Sequence, residues 1–207
     1  MPQQCRPRVI TIPAKRSYTL KIEINHTQPP VWRRLKVPGS LTLAEFHIVI
    51  QTAFGWTNSH LHDFRVGEKR YSDPRTMDGA DERDENRFSL DGVLGAQLKN
   101  VLYAYDFGDG WEHAITVEKR DPASPEDSTP VCLAGERACP PEDCGGPYGY
   151  QDLLLAAKKP NSKRYKELNE WLDLDLFDPE EFDLAQTNKL VANFRKSRVA
   201  MLGEMEL

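Results

Sequence analysis

The chain has 207 residues, of which 39% are hydrophobic and 29% are charged, and its formal net charge is −5. A chain of this length can bury one substantial core and carry an appended segment. The negative charge excludes a uniformly basic, DNA-coating surface, although a local basic patch is compatible with it. Because no apolar run is long enough to span a bilayer and no secretory signal is recognisable, we expect a cytoplasmic protein with no membrane partner.

The N-terminal third predicts a hairpin that precedes a helix. Residues 1–16 contain three prolines and are predicted to form a flexible leader, in which Cys5 has no assigned role. Strict alternation of apolar and polar residues then predicts one strand from Ser17 to Ile24 and a second over Val31–Val37.

A helix is predicted next, because Thr42 and Glu45 have the spacing of a capping box and apolar residues then recur at helical intervals until Gly55. A strand over His60–Val66 follows, and the acidic stretch from 73 to 91 is predicted to be a loop.

The middle of the chain predicts a short helix over Ser89–Leu98 and a second hairpin. Its strands, Val101–Phe107 and Trp111–Glu118, are joined by a Gly-Asp-Gly turn, and the loop 121–130 after them is predicted to be exposed.

Helices dominate the C-terminal part of the chain. They are predicted over Tyr150–Lys158, over Ser162–Leu172 and from Asp178 onward, with Asp178 as the N-cap and a proline at the first helical position. The order of elements predicts an α+β fold with a mixed, mainly antiparallel, roll-like sheet, packed helices and a helical C-terminal extension. The expected division is a leader (1–16), a core domain (17–158) and the extension (159–207).

Two segments carry side chains that suit metal or acid–base chemistry. His60 and His62 alternate along the predicted third strand, so they either share a metal ion or are hydrogen-bonded histidines at the sheet rim. The hairpin turn gathers four polar residues that could hold a cation or supply an acid/base pair: Asp106, Asp109, Glu112 and His113. The alternative is an ordinary tight turn in which Trp111 and His113 point inward. The Asp-Phe-Gly triplet does not indicate a kinase, because the other kinase motifs are missing.

Three cysteines within thirteen residues form the third candidate, at positions Cys132, Cys139 and Cys144. Three thiolates with His113 as fourth ligand, or His60 or His62 instead, would make a structural zinc site. The spacing is not that of a usual zinc knuckle, so the alternative is three reduced cysteines that fill a loop; a disulfide is less favoured in the cytoplasm. Either way, we expect this segment to fold back over the second hairpin.

Four motifs, in this order, resemble the plasmid pRiA4b ORF-3-like family: PPVWRRLKVP, SHLHDF, YAYDFGDGWEH and CLAGERACPPEDCGGPYGY. The resemblance spans about Tyr18 to Ala157. It implies a compact α+β domain associated with plasmids and with insertion sequences, whose passenger proteins of this kind are described as TnpR-like, but it implies no reaction. The sequence shows neither the nucleophilic serine of an α/β catalytic domain nor the helix-turn-helix tail that a serine resolvase would have. The matching motif positions are Trp32, His60, His62, Asp106, Asp109, Trp111, His113, Cys132, Cys139 and Cys144.

These observations favour a non-catalytic accessory protein of plasmids or transposable elements, stabilised by zinc in one version and acting on a protein or nucleic-acid partner. The sequence leaves the oligomeric state open. A metal-dependent hydrolase or nuclease built on the histidine and aspartate cluster is the rival, and a purely structural domain is the third reading. Lys189, Arg195, Lys196 and Arg198 could contact phosphate, but a solvated helix face is the simpler explanation.

Overall fold

The computed structural model describes residues 16–77, 79, 81–95, 98–172, 174–175 and 177–197. The strands in these ranges are β1 (Arg16–Ile24), β2 (Trp32–Pro38), β3 (His62–Val66), β4 (Lys69–Ser72), β5 (Glu82–Asp84), β6 (Asn100–Tyr105), β7 (Trp111–Pro122) and β8 (Val131–Glu136). The principal α-helices are α1 (Leu43–Phe54), α2 (Leu90–Leu94), α3 (Gly146–Ala157), α4 (Lys163–Leu172) and α5 (Leu184–Ala192).

The strands form a single sheet in the order β5-β4-β3-β6-β7-β1-β2-β8. Every neighbouring pair is antiparallel except β4 and β5, which are parallel. This confirms the predicted α+β fold with a mixed, mainly antiparallel sheet. In these ranges no helix combines the length and the apolar character that crossing a bilayer requires.

The core lies between one face of the sheet and α1. The alternating residues of β1 are fully buried there, as the sequence pattern predicts: Tyr18, Leu20, Ile22 and Ile24. Helix α1 begins at the predicted capping box, in which Thr42 Oγ1 accepts a hydrogen bond from the Glu45 amide and the Glu45 carboxylate accepts one from the Thr42 amide. It ends at Gly55, whose φ of 97° is left-handed and suits glycine.

Helix α5 lies at the edge of the sheet formed by β8. The Asn188 side chain accepts a hydrogen bond from the Cys132 amide and donates one to the Cys132 carbonyl, so it covers polar groups of the edge strand β8. Val191 and Phe194 are buried, at 0% and 1% exposed. The helical C-terminal segment therefore shares the main core.

Several predicted boundaries are wrong. The last helix begins after Asp183, whose carboxylate accepts from the Gln186 amide, whereas Asp178 caps only a local turn to Glu180. The acidic stretch is not all loop, because it contains β5, and Cys132 lies in a strand and not in a loop.

Other boundaries differ by a few residues. Strand β3 begins at His62 instead of His60, and β7 continues to Pro122, beyond the start of the predicted loop. Strand β1 begins at Arg16; the rest of the predicted leader, with Cys5, and the basic residue Arg198 lie outside the described residues.

Candidate functional site

Three chain segments meet at the end of the sheet where β3 begins and β6 ends. His62 pairs with Tyr105 across these antiparallel strands, so the loop before β3 and the turn after β6 are neighbours. The cysteine segment (residues 132–146) reaches the same place, because the Gly145 amide donates a hydrogen bond to Asp109 Oδ2 at 3.0 Å. This contact confirms that the cysteine segment folds back over the second hairpin.

A cavity of about 280 Å³ opens beside this end of the sheet, and we call it the histidine cavity. Its lining includes two histidines of the core, a third histidine at its mouth and three charged residues: His47, His62, His60, Asp73, Arg75 and Glu85. The rings of His47 and His62 stack in parallel, with centroids 3.5 Å apart and planes 2° from parallel. The stack brings a residue of α1 against a residue of β3.

Hydrogen bonds fix both rings of the stack. His62 Nε2 lies 2.9 Å from Glu85 Oε2, and His47 Nε2 lies 2.6 Å from Asn58 Oδ1. Because both oxygens accept hydrogen bonds, each imidazole carries its proton on Nε2. The Tyr103 hydroxyl then donates to His47 Nδ1 at 2.8 Å, while it accepts from Gln51 Nε2.

Burial keeps the two imidazoles neutral. It lowers the pKa of His47 to about 3, with a further contribution from the His62 ring, and it lowers the pKa of His62 to about 4. Partial burial raises the pKa of the Asp73 carboxyl, but hydrogen bonds from Arg75 outweigh that effect and the net pKa is lowered. At neutral pH the cavity therefore presents uncharged imidazoles beside an Arg75–Asp73 ion pair.

A second group of side chains stands at the mouth of the cavity, and we call it the rim triad: His60, Asp106 and Asp143. His60 Nε2 lies 3.7 Å from Asp106 Oδ2 and 3.2 Å from Asp143 Oδ1. One ligand atom from each residue lies within 4.8 Å of the other two. Within the described part of the chain, no other group of three or more histidine, cysteine, aspartate or glutamate side chains is so arranged.

The structure brings together only two members of the predicted histidine and aspartate cluster, His60 and Asp106. His62 faces Glu85 inside the cavity, and Asp109 binds the cysteine segment instead. Glu112 lies near Arg65, with 3.6 Å between Oε1 and Nη1. Trp111 and His113 are 1% and 0% exposed in the core, as the inward-facing alternative predicts.

The third member of the rim triad, Asp143, was not among the predicted site residues. Its only sequence signal is its position beside Cys144, in the segment expected to fold over the hairpin. His47 was also missed, because in the sequence it is one of several polar residues in a mainly apolar helix.

Among the described residues, no group of three or more potential metal ligands includes a cysteine. All three cysteines of the segment are reduced, and Cys132 Sγ donates to the Ala134 carbonyl at 3.4 Å. Burial raises the pKa of the Cys132 and Cys139 thiols, and it raises the pKa of Cys144 to about 12, so the three thiols are neutral when no metal ion is bound. His113 Nδ1 lies 3.3 Å from the Tyr103 carbonyl, and its ring packs against Trp56. Zinc in this segment stays a prediction.

Both the sequence and the fold of this chain resemble those of known proteins. The model of the plasmid pRiA4b ORF-3-like protein family matches residues 16–186. An uncharacterised protein, y4hQ of Sinorhizobium fredii (strain NBRC 101917 / NGR234), is 40% identical over 173 residues, which cover 83% of this chain and 89% of that protein. The crystal structure of MM3350 from Methanosarcina mazei Go1, a protein of unknown function, superposes with a TM-score of 0.76 at 34% identity, covering 84% of this chain and 97% of that one. The chain therefore belongs to the plasmid pRiA4b ORF-3-like family.

Proposed function

We propose that this protein is a non-catalytic accessory protein of plasmids or transposable elements that binds a small polar ligand in the histidine cavity. The observation that carries the proposal is the cavity itself, which encloses about 280 Å³ beside a stacked, hydrogen-bonded pair of histidines. This volume is near the lower end of the range for ligand pockets, roughly 300–1,000 Å³, and therefore suits a small molecule. The plasmid association is inferred from the family.

The charges of the lining favour a neutral or positively charged ligand. Asp73 and Glu85 supply two carboxyl groups, whereas Arg75 supplies one guanidinium group, which is already bound to Asp73. The two imidazoles add no positive charge, because burial lowers their pKa to about 3 and about 4. An anionic ligand would meet two carboxyl groups and only one guanidinium group in this cavity.

The hydrogen bonds of the lining favour binding over acid–base catalysis. Glu85 is held by His62, and His47 is held by Asn58 and Tyr103. A general base works best when its pKa lies near the operating pH, and the two imidazoles lie well below neutrality. Groups with fixed partners and fixed protonation states are suited to orienting a ligand.

Amide NMR spectra of the labelled protein would test the proposal, with putrescine and guanidinium as cationic probes and acetate and phosphate as anionic probes. The expected result is a saturable shift of the Thr76 and Asn86 signals with a cationic probe and no comparable shift with an anion. His62→Phe keeps a ring in the stack and removes the contact with Glu85, so it should abolish or weaken the response.

His26→Asn is the matched control, because His26 is an exposed histidine outside the cavity lining and asparagine tolerates its positive φ. Shifts that persist unchanged in His62→Phe, or the absence of shifts with all four probes, would contradict the proposal. Turnover of a model phosphodiester would instead favour the rival function, a metal-dependent hydrolase or nuclease. Its metal ligands would then be those of the rim triad.

A further inference from the structure

We infer that the rim triad is a binding site for one divalent transition-metal ion, held by His60, Asp106 and Asp143 at the mouth of the histidine cavity. One imidazole nitrogen and two carboxylate oxygens form a mixed ligand set of the kind that Mn²⁺, Fe²⁺ and Zn²⁺ accept. The inference does not depend on a ligand in the cavity.

His60 supplies the main evidence for a binding site here. Its side chain is 26% exposed, but the Nε2 atom itself is shielded from solvent and makes no aligned hydrogen bond, even to the Asp143 carboxylate 3.2 Å away. The ring is held by an edge contact with Tyr105, at 5.8 Å between centroids. Buried polar atoms in native proteins nearly always have a partner, and a cation would supply one to a ring nitrogen that lies near two carboxylates.

Asp106 is oriented before any ion binds. Its Oδ1 accepts hydrogen bonds from the amides of Gly108 and Asp109, at 3.0 and 3.2 Å. Its other oxygen, Oδ2, is the one nearest His60, and the residue is only 8% exposed. The turn of the second hairpin therefore presents one oxygen of Asp106 to the site.

Asp143 belongs to the cysteine segment, which contacts the turn of the second hairpin. On one side of it, Glu142 accepts a hydrogen bond from the Tyr105 hydroxyl; on the other, the Gly145 amide donates to Asp109. Gly146 lies so close that a Cβ atom there would be 2.1 Å from the Asp109 carbonyl oxygen. Anchors on both sides of Asp143 hold its backbone beside the hairpin turn.

The surroundings of the triad are acidic. Asp109 and Glu142 add two carboxyl groups on the segments that carry the ligands. Their negative potential favours a cation over an anion at this position. Because three protein ligands leave at least one position of a four-coordinate ion open, and because His60 also lines the cavity, a bound ion would be accessible from the cavity.

Isothermal titration of the metal-free protein with Mn²⁺ and with Zn²⁺, followed by metal analysis after dialysis, tests the site. We expect one ion per chain in the wild type. Asp143→Asn should weaken binding by at least about 100-fold, since loss of a residue that merely supports a ligand already costs about 10- to 100-fold. The Asp143 side chain is 70% exposed, so its variant should fold even if an Asp106 variant does not.

Two controls separate this site from its rivals. Asp152→Asn removes an exposed carboxylate that pairs with Arg164, and it should bind metal like the wild type. Cys139→Ser should also leave binding unchanged; metal lost in Cys139→Ser but retained in Asp143→Asn would overturn the inference in favour of the cysteines. Absence of binding in the wild type would overturn it too, whereas the cavity proposal is tested with EDTA present and can fail or succeed separately.

Discussion

Acidification is expected to destabilise this protein through His113, and replacing His113 with phenylalanine should remove that part of the effect. The ring is fully buried against Phe54 and Trp56, and its Nε2 atom has no hydrogen-bond partner. Burial lowers the pKa of this imidazole to about 3, although hydrogen bonds with backbone groups act in the opposite direction. The native state therefore keeps His113 neutral at any mildly acidic pH.

The magnitude follows from the difference between the folded and the unfolded pKa. In the unfolded chain the imidazole titrates near 6.5, whereas in the native protein it titrates at about 3. As the pH falls through this window the unfolded state gains a proton that the native state does not, so the free energy of unfolding decreases. At pH 5, which is about 1.5 units below the unfolded value, the loss is about 2 kcal/mol.

Urea denaturation of the wild type and of His113→Phe, each at pH 7 and pH 5, measures this term. The wild type should lose about 2 kcal/mol more stability between the two pH values than the variant. Any cost of fitting the larger phenyl ring is present at both pH values and cancels in the comparison. His47 titrates in both proteins and forms a common background. Equal losses in the two proteins would refute the assignment of a neutral, buried His113.

Three further predictions concern the docked segment, the first helix and the nucleic-acid partner. Gly146→Ala, which forces a Cβ onto the Asp109 carbonyl and strains a φ of 67°, should lower the melting temperature more than Gly55→Ala, where φ is 97° but no atom lies within 4 Å of the added Cβ; equal shifts would argue against the close contact. Thr42→Ala removes the cap of α1 and should cost about 1 kcal/mol in urea denaturation, whereas no change would mean that the cap is not formed in solution. Random-sequence duplex DNA should not bind at low ionic strength, because the net charge is −5 and Arg195 lies 3.3 Å from a carboxylate oxygen; salt-dependent binding would contradict this expectation.

The parts of the fold that local sequence determines could be predicted. Alternation in β1 follows from burial of one sheet face, and the capping box of α1 involves residues only three apart. Asp178 and Asp183 both have the chemistry of an N-cap, and only tertiary contacts of the residues that follow Asp183, such as those of Asn188 with Cys132 in β8, distinguish them. Cys132 was misplaced for a similar reason, since its strand exists through pairing with β2, a distant part of the chain.

The candidate site was predicted in part because two of its members come from recognisable motifs. His60 and His62 were expected to share a face, but β3 begins only at His62, so strand alternation does not govern His60. The two histidines therefore separate, one toward Glu85 and the other toward Asp143. Asp143 could not be assigned from sequence, because it lies far along the chain from Asp106 in the hairpin turn and its place depends on contacts such as that between Gly145 and Asp109.

The metal site at the rim triad is the central claim that can be seen directly, and anomalous diffraction from crystals of the full chain grown with Mn²⁺ tests it. We predict one strong anomalous peak within bonding distance of His60 Nε2, Asp106 Oδ2 and Asp143 Oδ1, at the mouth of the histidine cavity. A peak among the thiols of the cysteine segment, or a map without any peak at the rim triad, would contradict the claim.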